Sequence, residues 1–468
     1  MTKAKAVLKA ENSAELLSYI INVTPELKDN IDLPVQGESI EPIGKIIINN
    51  QRYRNAFINT INLIGLTVLK RNAWTNPWTF TERGTISFGQ QVREIINDLA
   101  NVYDYNETFD NKTDFLKTEV PNIYQYLHEI NFQKYYKTTT SDAQMAMAFT
   151  TADGLFNYID DVISMLFESL TYDTYLVNKY MLCRRMLDGT MTPVKIEDTN
   201  LTDVRDVVAQ MKGISNKMTF RKPNFNPAGI RRATRYEDQH LILSDEFYAK
   251  VDTKVLATSF FRNDAEFKSN LAIIDGFDDF DKARLQEVLL SAYEDFTEEE
   301  ITELKSVIGC IVSSEWFMDY TYSLDNSADP SAVGYTKQTE FYNPQTLENN
   351  HFLHAWKIFS TSPFENSCVF TTSTPQVESI TLSPTEASIS AGQSLQLTAS
   401  VIAHGFANKA VYYKVTKGAD KGVKVSSTGL VTIPKDFPVS QEETKQVEVT
   451  ATSVFDNTIT ATASITVL

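Results

Sequence analysis

Residues 152–187 leave the chain little choice of conformation. Leu155, Ile159, Val162, Leu166, Leu170, Val177 and Met181 recur at the spacing that lays side chains along one stripe of an α-helix. No Gly or Pro interrupts positions 155–188, and Gly189 followed by Pro193 supplies a stop. At about 1.5 Å per residue such a helix is roughly 50 Å long. A compact monomeric domain has little use for that rod, whereas a broad, flat subunit needs one.

The end of the chain reads quite differently. From Gln376 onward Ser and Thr dominate, Arg disappears, and short alternating segments are separated by Gly, Pro and Asn turns. Strands are expected over 380–382, 395–401, 410–415, 429–433, 447–453 and 460–467, a spacing that predicts a β-sandwich of about 90 residues. The boundary falls at Thr374-Pro375. This block is expected to fold by itself and to sit outside whatever the first 375 residues build.

Between these landmarks the reading is coarser. Residues 1–60 mix short helical stretches with Pro25, Pro34 and Pro42, and read as an arm laid over something else. An apolar run at 63–68 and the alternating Thr85-Ile-Ser-Phe88, on either side of turn signals, predict a long hairpin. Residues 194–345 alternate short strands and helices, with a capping box at Thr297-Glu-Glu-Glu300. The acidic stretch 278–303 reads as an insertion. A short β-like block closes this part at 351–371.

Charge and composition then exclude several functions. Net charge is −17, and the block after Gln376 is close to neutral, so the acidity lies in the first part and opposes a protein whose task is gripping phosphates. No run of about 18 apolar residues occurs, so no membrane span is predicted, and the first residues carry no apolar signal core. Cys183, Cys310 and Cys368 are odd in number and far apart, which offers neither a disulfide framework nor a CxxC site and points to a reducing cytoplasm. The 27 Phe and 21 Tyr serve either a core or large subunit interfaces.

Catalytic and cofactor signatures are missing: there is no GxxxxGK[ST], GxGxxG or GxSxG. Glu348, His351 and His354 lack an evident further metal ligand, and His354 is expected to open a strand and be held by packing. Asp275, Asp278, Asp279 and Asp281 suggest calcium superficially, but Gly276 is misplaced for an EF-hand, so a solvated turn is expected. Residues 212–235 hold Lys212, Lys217, Arg221, Lys222, Arg231, Arg232 and Arg235 with no acidic residue. That segment reads either as a solvated face or as a contact surface. As a contact it would meet packaged DNA or an acidic patch on another subunit, the second being preferred because the rest of the chain is so acidic.

Two resemblances sharpen this picture. The last block resembles the bacterial immunoglobulin-like domain of group 2 through Val377-x-Ser-Ile-x-Leu-Ser-Pro384, Gly392-x-Ser-x-x-Leu-Thr-Ala399, Ser426-x-Thr-Gly-Leu-Val431, Val447-x-Val-Thr-Ala451 and Ala463-Ser-Ile-Thr-Val467. Where that family usually carries Trp, Tyr412 or Tyr413 stands here. The first 375 residues resemble the major capsid proteins of phi-29-type podoviruses. The matching blocks are Gly84-Thr-Ile-Ser-Phe-Gly89 with Arg93-Glu-Ile95, then Val120-Pro-Asn-Ile123 with Leu127-His-Glu129, Asn131 and Tyr135-Tyr136. Further on come Tyr236-Glu-Asp-Gln-His-Leu-Ile242, Val255-Leu-Ala257, Ile273-Ile-Asp-Gly-Phe277, Ser314-x-Trp-Phe-Met318 and His354-Ala-Trp356 with Ser360, Ser362, Phe364 and Asn366.

The second resemblance implies an α+β chain with the Hong Kong 97 capsid fold. Its parts would be an N-terminal arm (1–60), an extended hairpin (61–120), a peripheral domain (121–193 and 346–375) containing the spine helix, and an axial domain (194–345) containing the acidic stretch 278–303. The immunoglobulin-like domain follows at 376–468. The resemblance further implies a structural protein that assembles with itself into pentamers and hexamers of a tailed phage head. A scaffolding protein, a portal and double-stranded DNA are its implied partners, with assembly in the host cytoplasm. Lys70 and Asn366 raise the thought of isopeptide cross-links, which occur in some relatives of this fold, but no activating carboxylate is signalled at either position, and noncovalent assembly is expected. A bacterial surface adhesin or a phage tail protein with an immunoglobulin-like domain is the alternative. An adhesin requires a signal peptide and usually tandem repeats, and a fibre requires β-rich repeats in the first 375 residues.

Overall fold

The computed structural model describes residues 13–34, 40–57, 76–87, 91–100, 102, 123–141, 154–197, 203–254, 270–323, 335–346, 348–438 and 445–468. The apolar run 63–68, Lys70, most of the Val120 motif and the Val255-Leu-Ala257 motif lie outside them.

The long helix spans Gly154–Leu187. Its C-terminal two-thirds is buried on more than one side, which a single apolar stripe does not anticipate. Leu166, Leu170 and Val177 pack with Phe132, Leu353 and Phe359 of one sheet. Tyr175, Leu176, Leu182, Cys183 and Met186 enter the main core with residues of a second sheet. The helix is therefore the shared layer between two sheets.

The first sheet contains β1 (Glu82–Ser87), β4 (Phe132–Ser141), β9 (Phe317–Ser323), β10 (Lys337–Asn343) and β11 (Glu348–Thr361). The first part of β11 lies between β10 and β4, and its last residues pair with β9. Alternation along β11 turns Leu353, Ala355 and Lys357 inward. The second sheet runs β5 (Thr192–Lys195), β12 (Ser367–Thr371), β8 (Val307–Ser313), β6 (Gln239–Ser244), β7 (Leu271–Ile274). Its central β12 is buried at every residue, as a strand covered on both faces must be.

The division at 345/346 does not follow the sheets: β9 and β10 belong with β4 and β11, while β5 and β12 belong with β6, β7 and β8. The chain changes sheet at the tight turn between β8 and β9, where Trp316 N bonds Ser313 O at 2.9 Å, and contiguity in sequence hides that crossing. Thr85–Ser87 pair in parallel with β9, and a two-stranded ribbon is formed by β2 (Val92–Asn97) with β3 (Ile123–His128). The acidic stretch 278–303 is woven into the main core, to which Leu285 and Phe296 contribute, with Leu304 just beyond it.

After Pro375 come β13 (Gln376–Ser383), β14 (Glu386–Ile389), β15 (Ser394–Gln396), β16 (Thr398–His404), β17 (Val411–Lys417), β18 (Lys424–Val425), β19 (Leu430–Thr432), β20 (Gln446–Ser453) and β21 (Thr460–Val467). They form sheets β13-β16, β14-β21-β20-β17 and β15-β19-β18 around one core containing Ile380, Leu397, Val431, Val449 and Ile465. Tyr413 packs against that core and Tyr412 faces outward.

This β unit is also pinned to the rest. Phe406, at φ 65° and 2% exposed, enters the main core of the first part. Gly189, just past the long helix, has φ +69°, and a Cβ there would collide with Ala407 and Asn408. Only glycine permits that approach. Gly405 N donates to Glu303 Oε1 at 3.2 Å, closing the seam. Independence of the C-terminal block is thus limited: it has its own core and lends one ring to its neighbour.

Candidate functional site

Among the described residues, four polar seams fix the long helix in register. The deepest joins it to the first sheet. Lys357 Nζ lies 3.1 Å from Asp319 Oδ1, both side chains 1% exposed. Asn178 donates to Asp319 Oδ2 at 3.3 Å and to Thr81 Oγ1 at 3.1 Å. Burial pushes the Asp319 carboxyl up, opposed by Lys357 and Asn178.

One turn earlier, Arg284 grips Asp173 through two hydrogen bonds of 2.8 and 2.9 Å, and Tyr136 OH donates to the same carboxylate at 2.7 Å. Burial raises the Asp173 pKa while its bonds raise that of Arg284. These directions conflict for an ion pair, and the two-pronged geometry decides for the ionised form. On the far side Lys179 Nζ meets Asp275 at 2.5 Å and Tyr175 OH donates to it at 2.9 Å. Near the helix end Arg184 bonds Glu300 at 3.2 Å and the carbonyl of Asp295 at 3.0 Å, over the ring of Phe296.

The basic segment divides in two. Arg231 pairs with Asp98 at 3.3 Å, Arg232 with Glu315 at 3.2 Å and with buried Glu365, and Arg235 with Glu237 and Asp238. These belong to internal seams. Burial pushes the Glu365 carboxyl up against the pull of Arg232 and Ser313. Lys217, Arg221 and Lys222 are exposed and carry no ion pair among the described residues. They surround Phe220, which is 65% exposed.

The other residues singled out from sequence have structural partners. His351 sits against Glu340 at 2.6 Å and Thr140 at 2.9 Å, and His354 against Thr339 at 3.0 Å. His354 lies in the middle of β11, not at its start. Among the described residues no group of His, Cys, Asp and Glu has the arrangement of a metal site. Asp275 serves Lys179, and Asp281 caps the Lys282–Leu289 helix by accepting from Arg284 N at 3.0 Å. Asn366 is wholly buried, donating to Arg232 O and Thr234 Oγ1 and accepting from Asn226. Burial raises the thiols of Cys183 and Cys368 to about 12. Sequence reasoning missed Asp173, Lys179, Asp319 and Lys357. The one available signal was a run of polar residues, 173–174 and 178–179, inside the apolar stripe.

The surface holds apolar groups that lack cover. The β2–β3 ribbon exposes Ile95, Ile123 and Leu127 on one face, and a two-stranded ribbon is marginal in water without packing. A protein locked internally along a long helix, with bare apolar ribbon outside, has the build of a shell subunit, whose work is to be covered by copies of itself. Residues 21–371 match the family model described as Phi29-like phage major capsid protein. The chain belongs to that family: it is a major capsid protein of a tailed bacteriophage, a structural component of the virion and not an enzyme.

The chain is 26% identical over 458 residues to the major capsid protein of Bacillus phage B103, covering 96% of this chain and 91% of that one. With the major capsid protein of Streptococcus phage Cp-1 it shares 25% over 356 residues, 72% and 88% of the two chains. In structure it is similar to a chain from the capsid of Staphylococcus phage Andhra, with TM-score 0.49, 14% identity, and 66% and 87% of the chains covered.

Proposed function

We propose that this subunit has the Hong Kong 97 capsid fold and assembles into the pentamers and hexamers of an icosahedral or prolate head enclosing double-stranded DNA. The observation that carries this reading is the long helix held between two sheets, with the β2–β3 ribbon left exposed beside the first sheet. In this reading the ribbon reaches over an adjacent subunit and buries Ile95, Ile123 and Leu127 there. The second sheet points to the ring axis. A scaffolding protein and a portal guide assembly in the host cytoplasm. The unit from Gln376 is an immunoglobulin-like sandwich on the outer face, where it steadies contacts between capsomers.

The segment Lys217, Arg221, Lys222, Arg231, Arg232 and Arg235 is proposed as a subunit contact in preference to a DNA-facing surface, because half of it already pairs with carboxylates of its own chain. Electron microscopy of the chain co-expressed with its scaffold tests the whole reading. Rings or closed shells are expected, and a strictly monomeric species would refute it.

A further inference from the structure

Two surfaces on the second sheet complement one another and stand too far apart to meet within a subunit. The first is a groove of about 650 Å³ beside the edge strand β7. Tyr172 from the long helix and Ile273 from β7 give it an apolar wall, each more than a third exposed. Glu168 and Asp245 give it negative charge beside the Lys179-paired Asp275, and no Lys or Arg among the described residues lines it. The second is the knob at the end of the Val204–Met218 helix: Phe220 flanked by Lys217, Arg221 and Lys222.

The helix separates the two. Its Val204 end shares a cavity with Asp245, and its Met218 end carries the knob. Fifteen residues at 1.5 Å each put about 22 Å between them. Knob and groove therefore lie at opposite ends of the same layer.

We infer that the Phe220 knob of one copy seats in the β7 groove of the next copy around the ring. This rests on the shell-subunit reading and names the partner of its basic segment. The match is one of shape and charge together: an aromatic ring meets Tyr172 and Ile273, and three cations meet the carboxylates of Glu168 and Asp245, Asp275 being already paired with Lys179. A knob and a groove on different surfaces make a heterologous contact, which repeats head to tail and closes a ring. Buried aromatics with charged rims are where binding energy concentrates.

The test is a cross-link in full-length shells. Phe220→Cys with Ile273→Cys places one thiol on each surface, while Cys183, Cys310 and Cys368 remain wholly buried. Diamide then joins the thiols, each giving up a proton and an electron to the oxidant. The expected result is a ladder of covalent multimers on a non-reducing gel, ending at the size of a ring, with neither single-Cys variant laddering. Monomer alone from well-formed shells, or a ladder stopping at dimer, overturns the inference and leaves the shell reading intact. Failure of the unsubstituted chain to form shells would instead count against the shell reading.

A charge exchange supplies the second arm. Arg221→Glu with Lys222→Glu is expected to lower shell yield about tenfold, and adding Glu168→Lys to recover most of it. Normal shells that retain less DNA would assign the knob to the interior and overturn the inference.

Discussion

Replacing Phe406 with alanine separates two accounts of how the C-terminal unit is attached. If the unit is tethered only by its linker, the change weakens that unit alone. The structure demands otherwise, because the ring is 2% exposed and lies in the core that holds Trp78, Met186 and Trp316. Truncating a buried Phe to Ala costs about 3–5 kcal/mol. The backbone at φ 65° is strained by roughly 1–2 kcal/mol for any L side chain, and Ala keeps that strain, so only the ring's contribution is removed. Against a typical domain stability of about 5–15 kcal/mol this is a large fraction. The assay is urea unfolding of dissociated subunits followed by tryptophan fluorescence. All four Trp precede Gln376, so the signal reports the first part only. The expected result is a midpoint shift worth about 3 kcal/mol in a region that the substitution does not belong to. A tryptophan midpoint within about 0.5 kcal/mol of the parent, with the β unit alone destabilised, would refute the argument. Cutting after Pro375 removes the same ring, so the truncated subunit should show at least this loss.

Asp319→Ala leaves Lys357 buried and unpaired and should destabilise the subunit by about 3–5 kcal/mol, whereas Asp319→Ala with Lys357→Met should recover much of that by the same denaturation assay. Leu166→Pro breaks the long helix where it packs on the first sheet; a cost of about 3 kcal/mol or more should abolish shells in microscopy. His240, stacked on Phe80 at 4.2 Å, is held neutral by burial and by Arg83, its pKa lowered to about 4. The unfolded imidazole takes its proton near pH 6.5, so this group's stabilisation is full above that pH and is lost as pH falls from 6.5 toward 4. His240→Phe should flatten that limb of the urea midpoint against pH; an unchanged slope would exclude His240 as its source.

What the sequence displays depends on whether a feature is periodic or paired at a distance. The long helix is legible because Leu166, Leu170, Val177 and their neighbours repeat along the chain, and the six expected strands after Gln376 all overlap strands in the structure. The strand expected at 395–401 breaks at Leu397, whose N–H turns to Gly429 O at 3.0 Å. Phe406 has no period. Nothing around it marks a ring bound for another unit's core, and the Gly189 and Gly405 that admit it look like ordinary turn glycines. The basic segment shows the same limit: its charge is visible, but Arg232 and Arg235 are neutralised by Glu315, Glu365, Glu237 and Asp238, and that division exists only in the fold.

The placement of charge along the long helix makes a further point about its work. Buried ion pairs are poor stabilisers compared with apolar packing, because desolvation offsets much of their attraction. Their advantage is discrimination: an apolar stripe tolerates a slide by one turn, about 5.4 Å, since Leu replaces Leu in the same groove. Asp173, Asn178, Lys179 and Arg184 each have a partner on a different element, respectively Arg284, Asp319, Asp275 and Glu300. A one-turn slide would break all four at once and strand the fully buried Asp173 and Lys179 without counter-charges. Such a helix transmits force as a rigid strut. In the proposed shell, where identical copies would occupy unequal positions, that stiffness in the body of the subunit would leave adjustment to the exposed ribbon.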